Sequence, residues 1–434
     1  MSFQKLGLSR EKQLQYAPLI HLIQPLYFRP MIGTPLHTRT EAICESYDWR
    51  NWAGYAVVSK YELTHEWEYF AIRNAAALID VSPLYKYLVQ GPDAVKVVDR
   101  IITRDASKCR VGQVLYTTWC DEDGKVIDDG TVTRLDDHTF RITAAEPNLR
   151  WFQDNAFGLD ASVTDISEDL AALALQGPTS RTILRQVLGE DEADRLNELR
   201  YFRMMPATVN GCPVTISRTG FTGDLGYELW MASAHAVHTW DSLMAAGADH
   251  GIMPAGMLAL DMTRIEAGLL LIDVDYTPAR KARIEAQKSS PFELDLGWTV
   301  NLNKASNFNG RRALEKEKQN DSRWATVGLE VNWNALEAVY AKAGLAPAVP
   351  HTAWRSSVPI YANSGLGLGS QVGYATSGCF SPILKRYIAL ATVEPSYSQP
   401  GTELLMEVTV EHVPHKVLVR VVEKPFFDPP RKKA

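Results

Sequence analysis

The residues of this chain with the clearest chemical potential lie in one segment, Ser217–Trp230, which reads S-R-T-G-F-T-G-D-L-G-Y-E-L-W. Gly220, Gly223 and Gly226 recur there every third residue, and glycine permits tight turns and close approach of the backbone to a ligand. Glu228 follows at the predicted start of a strand, among aromatic residues. A carboxylate in that setting can accept parallel N–H bonds from a planar, amidine-like group. An exposed strand residue is the alternative interpretation of Glu228.

A second unusual segment, Val126–Gly130, has two carboxylates inside an apolar strand pattern. Successive side chains of a strand point to opposite faces, so Asp128 and Asp129 meet different environments. A carboxylate that faces a cavity among apolar neighbours can orient an amine nucleophile or accept its proton. Taken alone, the pattern favours the simpler alternative, an acidic strand end that follows a turn.

Other polar patterns give weaker evidence of a functional site than these two segments. Asp261 and Arg264 are three apart on a predicted helix, where an ion pair is the simplest explanation. The turn Ser377–Pro382 precedes basic residues that can meet an anionic ligand tail, and a solvated turn fits equally well. His235 and His238 lack a third ligand, so no metal site is predicted.

Composition restricts the class of protein. The chain has 434 residues and a formal net charge of −6, which predicts roughly two to four domains and argues against general binding to nucleic acid or anionic membranes. Five scattered cysteines without a C-x-x-C pair indicate buried thiols in a reducing compartment. No secretory signal and no apolar run of roughly 18 residues is found, so we expect a cytoplasmic location.

The elements that position the carboxylates follow from apolar spacing. A strand-like run, then Q-G-P, then a helical pattern occurs at Tyr87–Pro92 and again at Leu173–Pro178, which indicates a duplicated α+β module. Val114–Trp119 and Val126–Leu135 alternate like the two strands of a hairpin. Glu315–Arg323 is polar and charged and is predicted to be a linker. Beyond it a separate all-β domain is predicted, with strands at Ala325–Asn332, Gln371–Thr376, Tyr387–Val393 and Glu403–Val410.

The order of these landmarks resembles the glycine-cleavage T-protein (aminomethyltransferase) family, which includes tetrahydrofolate-dependent demethylases. The resemblance covers roughly residues 35–425 and rests on W-A-G at 52–54, L-I-D-V-S at 78–82, Q-V-L-Y-T at 113–117, I-D-D at 127–129, L-Q-G-P at 175–178, the segment 219–228, R-I-E-A-G at 264–268, and T-S-G with S-P at 376–382.

The resemblance implies an α+β, three-lobed T-protein-like folate-binding fold with a C-terminal all-β barrel domain. We expect an N-terminal extension at 1–34, a folate-binding α+β domain of two lobes at 35–320, and the β-barrel domain at 321–434. It also implies tetrahydrofolate as the cofactor, bound in a central channel.

The resemblance assigns roles to five residues. Asp129 matches the family's essential aspartate near nitrogen five of the pterin and is the expected catalytic residue. Glu228 matches the glutamate that grips the pterin ring, and Tyr116 matches a tyrosine that lines the folate site. Phe221 stands where the family often has tyrosine, and Arg264 lies in the matching R-I-E-A-G segment; both are expected to contact the cofactor.

Three departures from the family pattern favour a one-carbon donor other than that of the T-protein. Leu260 replaces an arginine that members use on the folate, Thr143 replaces an asparagine beside the pterin, and Pro83 follows D-V-S where histidine is usual. The run D-V-D-Y-T-P-A-R at 273–280 also differs from the family pattern, which makes Tyr276 a candidate substrate contact. Trp119 is a second candidate substrate contact.

We therefore expect transfer of a methyl or methylene group from a small methylated amine, sulfonium or aromatic ether to tetrahydrofolate. The expected partner is that small-molecule donor, with neither nucleic acid nor membrane. A glycine-cleavage aminomethyltransferase, with a lipoyl carrier protein as partner, is one alternative. A non-catalytic folate-binding assembly factor is another, although the K-G-C-Y-x-G-Q-E segment of that group is absent from this sequence.

Overall fold

The computed structural model describes residues 31–363 and 369–433, so most of the predicted extension at 1–34 lies outside the described residues. Up to residue 144 the elements are β1 Ile32–Gly33, α1 His37–Ala42, β2 Asp48–Trp52, β3 Tyr55–Lys60, α2 Glu66–Asn74, β4 Ala76–Asp80, β5 Tyr85–Gln90, α3 Ala94–Ile101, β6 Val114–Cys120, β7 Val126–Asp136 and β8 Thr139–Ala144.

From residue 149 to residue 320 the elements are α4 Leu149–Ala156, β9 Ser162–Asp165, β10 Leu170–Gln176, α5 Ser180–Val187, α6 Glu190–Glu198, β11 Met204–Val209, β12 Cys212–Ser217, β13 Gly226–Ala232, α7 Ala236–Gly247, β14 Ile252–Pro254, α8 Met257–Glu266 and α9 Arg311–Asn320. The remaining elements are β15 Ala325–Val331, α10 Trp333–Lys342, β16 Val358–Ala362, β17 Gln371–Ser381, β18 Arg386–Val393, β19 Glu403–Val410 and β20 Val413–Val422.

The first lobe contains a five-stranded antiparallel sheet in the order β6-β7-β8-β5-β9. Its two faces differ sharply, because side chains alternate along each strand. One face is apolar and packs on α3 and α4. The other is polar: the register pairs Tyr116 with Thr131, Thr131 with Thr143, and Thr133 with Arg141. Asp129 shares this polar face, since it lies two residues from Thr131.

The second lobe contains a six-stranded mixed sheet in the order β11-β12-β13-β10-β4-β14. Strand β10 pairs antiparallel with both β13 and β4, whereas β14 pairs parallel with β4. Glu228 on β13 lies opposite Ala174 on one neighbouring strand and opposite Ser217 on the other. A small three-stranded sheet, β1-β3-β2, accompanies the two lobes.

The two Q-G-P units have the same local structure in the two sheets. Each unit ends a strand that pairs with two neighbouring strands. Each glycine has a positive φ, 140° at Gly91 and 128° at Gly177. The glycine N–H bonds the carbonyl that immediately precedes the neighbouring strand, His138 in one lobe and Leu225 in the other. β8 and β13 therefore begin at the same position relative to the Q-G-P turn of their lobe, so their third residues are equivalent. These residues are Arg141 and Glu228.

The C-terminal region forms a closed barrel of six strands in the order β15-β18-β17-β16-β19-β20. Two of its strands, β16 and β20, and the helix α10 were not predicted. The predicted linker at 315–323 is wrong in part, because residues 311–320 form α9. That helix buries Leu314 completely and carries an Arg311–Glu315 ion pair one turn apart. The exact domain boundaries stay predictions.

The helices of the structure can also be judged against the requirements of a membrane span. Among residues 31–363 and 369–433, no helix combines the length and the apolar character required to cross a bilayer.

Candidate functional site

Asp129 lies on the polar face of the first lobe and is held by two phenol groups. Tyr116 Oη donates to Asp129 Oδ2 at 2.7 Å, and Tyr276 Oη donates to Oδ1. Burial raises the pKa of Asp129, while the two tyrosine hydroxyls oppose that rise by binding the charged form. The structure therefore brings together three residues that were predicted separately, one of them from a segment almost 150 positions away in the chain.

Asp128 points into the apolar core on the opposite face and is completely buried. Its carboxylate accepts hydrogen bonds from Asn148 Nδ2 at 2.8 Å, from Glu146 N at 3.1 Å and from the backbone N of Asp129 at 2.8 Å. Burial, together with the neighbouring Asp129 charge, raises the pKa of Asp128 well above its usual range. These bonds anchor the strand that presents Asp129.

Trp119 does not reach the polar face, so the predicted direct substrate contact is not supported. Its side chain is completely buried, and its Nε1 donates to Asn148 Oδ1 at 3.3 Å. Its ring packs edge-on against Phe152 with centroids 5.5 Å apart. The strand alternation that exposes Asp129 to the site turns Trp119 toward the core.

Trp298 is an aromatic residue of the site that sequence analysis missed. It is 63% exposed and lies in a short 3-10 turn at Gly297–Thr299. Its ring stacks on Tyr116, with centroids 5.9 Å apart and planes inclined by 25°. The Arg104 guanidinium lies 5.7 Å from the centroid of the same ring. A lone tryptophan in an irregular segment gives no periodic signal, so only the tertiary structure places it beside Tyr116.

Glu228 belongs to the second lobe. Its Oε2 accepts a 2.6 Å hydrogen bond from Thr219 Oγ1, which also bonds Ser217 Oγ at 2.8 Å. Among the described residues, the other carboxylate oxygen has no hydrogen-bond partner. Burial raises the pKa of Glu228, and the Thr219 bond and the Arg141 charge oppose that rise.

Two of the glycines before Glu228 are required by packing rather than by approach to a ligand. A Cβ on Gly220 or Gly226 would lie 2.1 or 2.2 Å from Gln176 Oε1. The buried Gln176 side chain ties the loop together, since its Nε2 donates to Thr219 O at 3.2 Å. Phe221 is half-buried in this loop.

Arg141 is the second residue that sequence analysis missed. It is 4% exposed, and its Cζ lies 4.1 Å from the centroid of the Trp230 ring, which belongs to the other lobe. Its Nε is buried without a hydrogen-bond partner, as is Thr143 Oγ1, and Arg141 forms no ion pair within the described parts of the chain. Burial lowers the pKa of Arg141 to about 10. A buried guanidinium of this kind is costly unless something else pairs with it.

Arg264, predicted to bind the cofactor, instead forms a buried ion-pair network. Its Nε donates to Asp261 Oδ1 at 2.8 Å, and its Nη1 bonds Asp275. Asp275 in turn accepts 2.6 Å bonds from Thr376 and Ser377 of the barrel strand β17. The ion pair proposed as the simpler alternative is therefore present, and Arg264 joins the lobes to the barrel rather than facing the site.

No cluster of three or more His, Cys, Asp or Glu side chains suited to a metal ion occurs in the described residues. Two surface cavities, of about 370 Å³ beside Arg200 and about 420 Å³ beside Tyr340, include neither Asp129 nor Glu228 in their walls. The polar faces of the two sheets remain the candidate site, because they carry Asp129, Glu228 and two buried atoms without partners in the described parts of the chain, Arg141 Nε and Thr143 Oγ1.

Comparison with protein-family models gives two matches. Residues 35–304 match the model described as the GCVT N-terminal domain, and residues 343–428 match the glycine cleavage T-protein C-terminal barrel domain.

Several curated proteins are similar to the chain along most of its length. An aminomethyltransferase of Halothermothrix orenii is 35% identical over 345 residues, covering 79% of this chain and 86% of the relative. An aminomethyltransferase of Caldanaerobacter subterraneus subsp. tengcongensis is 32% identical over 382 residues, covering 87% and 91%. A trimethylamine-oxide aldolase of Ruegeria pomeroyi is 35% identical over 346 residues, which are 78% of this chain but only 40% of that protein.

Among solved structures, the glycine cleavage system aminomethyltransferase T from Bartonella henselae superposes with a TM-score of 0.75. It covers 92% of this chain and 99% of its own, at 24% sequence identity. At that identity the likeness establishes the three-lobed fold with its C-terminal barrel, and no more.

Proposed function

The chain belongs to the glycine cleavage T-protein family, and from that premise we propose that it transfers a one-carbon group from a small donor to tetrahydrofolate. The observation that carries the proposal is the Asp129 carboxylate, held by Tyr116 and Tyr276 on the sheet face whose Arg141 contacts Trp230 of the other lobe. This arrangement supplies a fixed proton acceptor beside a buried binding recess.

The polar groups of the recess fit a reduced pterin. Glu228 has one carboxylate oxygen without a protein partner, and Arg141 Nε and Thr143 Oγ1 are buried without partners. Unpaired buried polar groups are costly, so a ligand with matching donors and acceptors would stabilise them. Glu228 would accept N–H bonds from the ring, and the amine nitrogens of tetrahydrofolate would supply the nucleophile that receives the carbon.

The residues around Asp129 then have distinct roles. Tyr116 and Tyr276 favour the charged form of Asp129 against the effect of burial and fix its two oxygens, so that it can orient an amine N–H and take up its proton at Oδ1 or Oδ2. Asp128 holds the strand in place from the core side through its three hydrogen bonds. Positioning of donor and acceptor within the recess contributes the remaining rate enhancement.

For the donor, we favour a small methylated amine or sulfonium over an aromatic ether. The Asp129 carboxylate would attract a cationic donor, and the Tyr116 ring bonded to it can contribute a cation–π contact. The similarity to the trimethylamine-oxide aldolase supports an amine-type donor. The similarity to several aminomethyltransferases supports the alternative, an aminomethyl group delivered on a carrier protein.

Calorimetric titration with tetrahydrofolate tests the first half of the proposal. We expect the wild type to bind and Glu228→Gln to bind roughly 10- to 100-fold more weakly, because a charge-assisted hydrogen bond is lost. Glu330→Gln, which removes a carboxylate of an exposed ion pair on the barrel, is the matched control and should bind normally. Absence of binding by the wild type would contradict the proposal.

A donor panel assayed with saturating tetrahydrofolate tests the second half. We expect turnover with at least one methylated amine or sulfonium, or with an aminomethyl carrier, and a loss of roughly 10²- to 10⁴-fold in Asp129→Asn. Tight folate binding with no turnover of any donor would instead support the non-catalytic folate-binding alternative. The five free cysteines, four of them buried, agree with the proposed cytoplasmic location.

A further inference from the structure

We propose that Arg141 and Glu228 act as a donor–acceptor pair that recognises one edge of the pterin ring, with the Arg141 guanidinium donating to the ring carbonyl oxygen while Glu228 accepts the adjacent N–H groups. This inference rests on the proposed function and specifies how the same site selects its ligand.

The first support is the unsatisfied state of Arg141. Its side chain is 4% exposed, and within the described parts of the chain it has neither a hydrogen bond nor an ion pair. Its contact with the Trp230 ring holds the planar guanidinium flat but satisfies none of its five N–H donors. A buried guanidinium nitrogen without an acceptor, here Nε, is costly in the unliganded protein, so it points to an acceptor that arrives with the ligand.

The second support is the position of the two charges. Arg141 and Glu228 are the equivalent third residues of β8 and β13, and the Arg141 guanidinium lies over the ring of Trp230, two residues from Glu228 on β13. With Arg141 held over this ring, each charge affects the pKa of the other, yet the two side chains form no ion pair with each other. A flat ligand edge that carries a donor next to an acceptor can bridge this gap and satisfy both groups.

The third support is the register of Arg141, which lies opposite Thr133, four residues along β7 from Asp129. Asp129 takes its hydrogen bonds from Tyr116 and Tyr276, whereas the electrostatic partner of Arg141 is Glu228. The guanidinium therefore belongs to the part of the recess that binds the ring rather than to the part that handles the one-carbon donor. We assign it to recognition of the ring and not to the transfer step.

The experiment compares two ligands by calorimetry: tetrahydrofolate, and a reduced 2,4-diamino analogue in which an amine replaces the ring carbonyl. The wild type should prefer tetrahydrofolate. Arg141→Met should lose roughly 10- to 100-fold in affinity for tetrahydrofolate and little for the analogue, so that its discrimination falls. Arg323→Met removes another arginine that lies over a tryptophan ring, in the C-terminal region, and serves as the control with unchanged discrimination.

A second readout is the stability of the unliganded protein. Arg141→Met should unfold in urea at the same or a higher midpoint than the wild type, because an unpaired buried charge is removed. Lower stability with unchanged discrimination would show a merely structural role and would overturn the inference. Arg141→Lys keeps the charge without the planar fork, and its discrimination should be intermediate even if the methionine variant fails to fold.

The two proposals fail in different ways. If the wild type binds tetrahydrofolate and the Arg141 variants bind it equally well, the role of Arg141 is refuted and the proposed function stands. If the wild type does not bind tetrahydrofolate, the proposed function fails and this inference fails with it.

Discussion

At the scale of single residues, the site depends on how the charged form of one buried carboxylate is stabilised. Burial alone would leave Asp129 protonated over a wider pH range, because a charged group is poorly solvated there. The hydroxyls of Tyr116 and Tyr276 counteract this by donating one hydrogen bond to each oxygen. The same two bonds also restrict the orientation of the carboxylate, which a proton acceptor needs.

This balance predicts a pH dependence. Only charged Asp129 accepts a proton, so activity falls as the pH falls through its pKa. Tyr276→Phe removes a bond that lowers that pKa, so the acidic limb of the kcat profile should move to higher pH by roughly one unit. Tyr361→Phe, which breaks a tyrosine–glutamate bond on the barrel, should leave the profile unchanged. A shift toward lower pH in Tyr276→Phe would refute this account.

At the scale of elements, the two Q-G-P turns set the register of the strands that carry Arg141 and Glu228. Gly177 has a φ of 128°, and a Cβ there would lie 2.6 Å from Ala75 O and 2.9 Å from Ile72 O. These backbone atoms lie where α2 joins β4, so they cannot move away without displacing one of the two elements. A side chain at this turn is therefore opposed both by backbone conformation and by space.

We expect Gly177→Ala to lower the free energy of unfolding by about 2–4 kcal/mol. The matched control is Gly158→Ala, where φ is also positive, at 79°, but no atom lies within 4 Å of the added Cβ. That variant should lose only about 1 kcal/mol, the cost of the conformation without a clash. Urea unfolding followed by circular dichroism measures both values, and equal losses would show that the close contacts are unimportant.

At the scale of the whole molecule, a buried polar network joins the lobes to the barrel. Arg264 bridges Asp261 and Asp275, and Asp275 accepts hydrogen bonds from Thr376 and Ser377 on the barrel. Tyr276 directly follows Asp275 in the chain. The network that fixes the barrel against the lobes therefore also fixes the backbone that delivers the Tyr276 hydroxyl to Asp129.

Removing the Arg264 cation should lower the free energy of unfolding strongly. Arg264→Met leaves buried Asp275 without its cation and Asp261 with only the partly exposed Arg355, and we expect a loss of about 3–5 kcal/mol in the free energy of unfolding. Arg355→Met removes a cation that pairs with Asp261 from a partly exposed position, and should cost about 1 kcal/mol or less. Urea titration of both variants checks the contrast, and a mild effect of Arg264→Met would show that the carboxylates find other partners.

The sequence by itself determined the family and the fold class, because the landmarks occur in a definite order along some 390 residues (roughly 35–425) and their apolar spacing predicts the strands and helices. It also singled out Asp129, Glu228 and Tyr276. These residues stand out locally, either as carboxylates in apolar strands or as a departure from the family pattern. Such local signals do not depend on how distant segments pack.

Only the tertiary structure decided which groups meet. Alternation along β7 says that Asp128 and Asp129 face opposite ways, but the packing of α4 decides which one is buried. From the helix alone, Arg264 could have bound a ligand, but Asp275, in a later loop, forms an ion pair with it. Arg141 and Trp298 gave no signal at all, because their significance lies in a missing partner and in a neighbouring ring, and both depend on contacts between segments far apart in the chain.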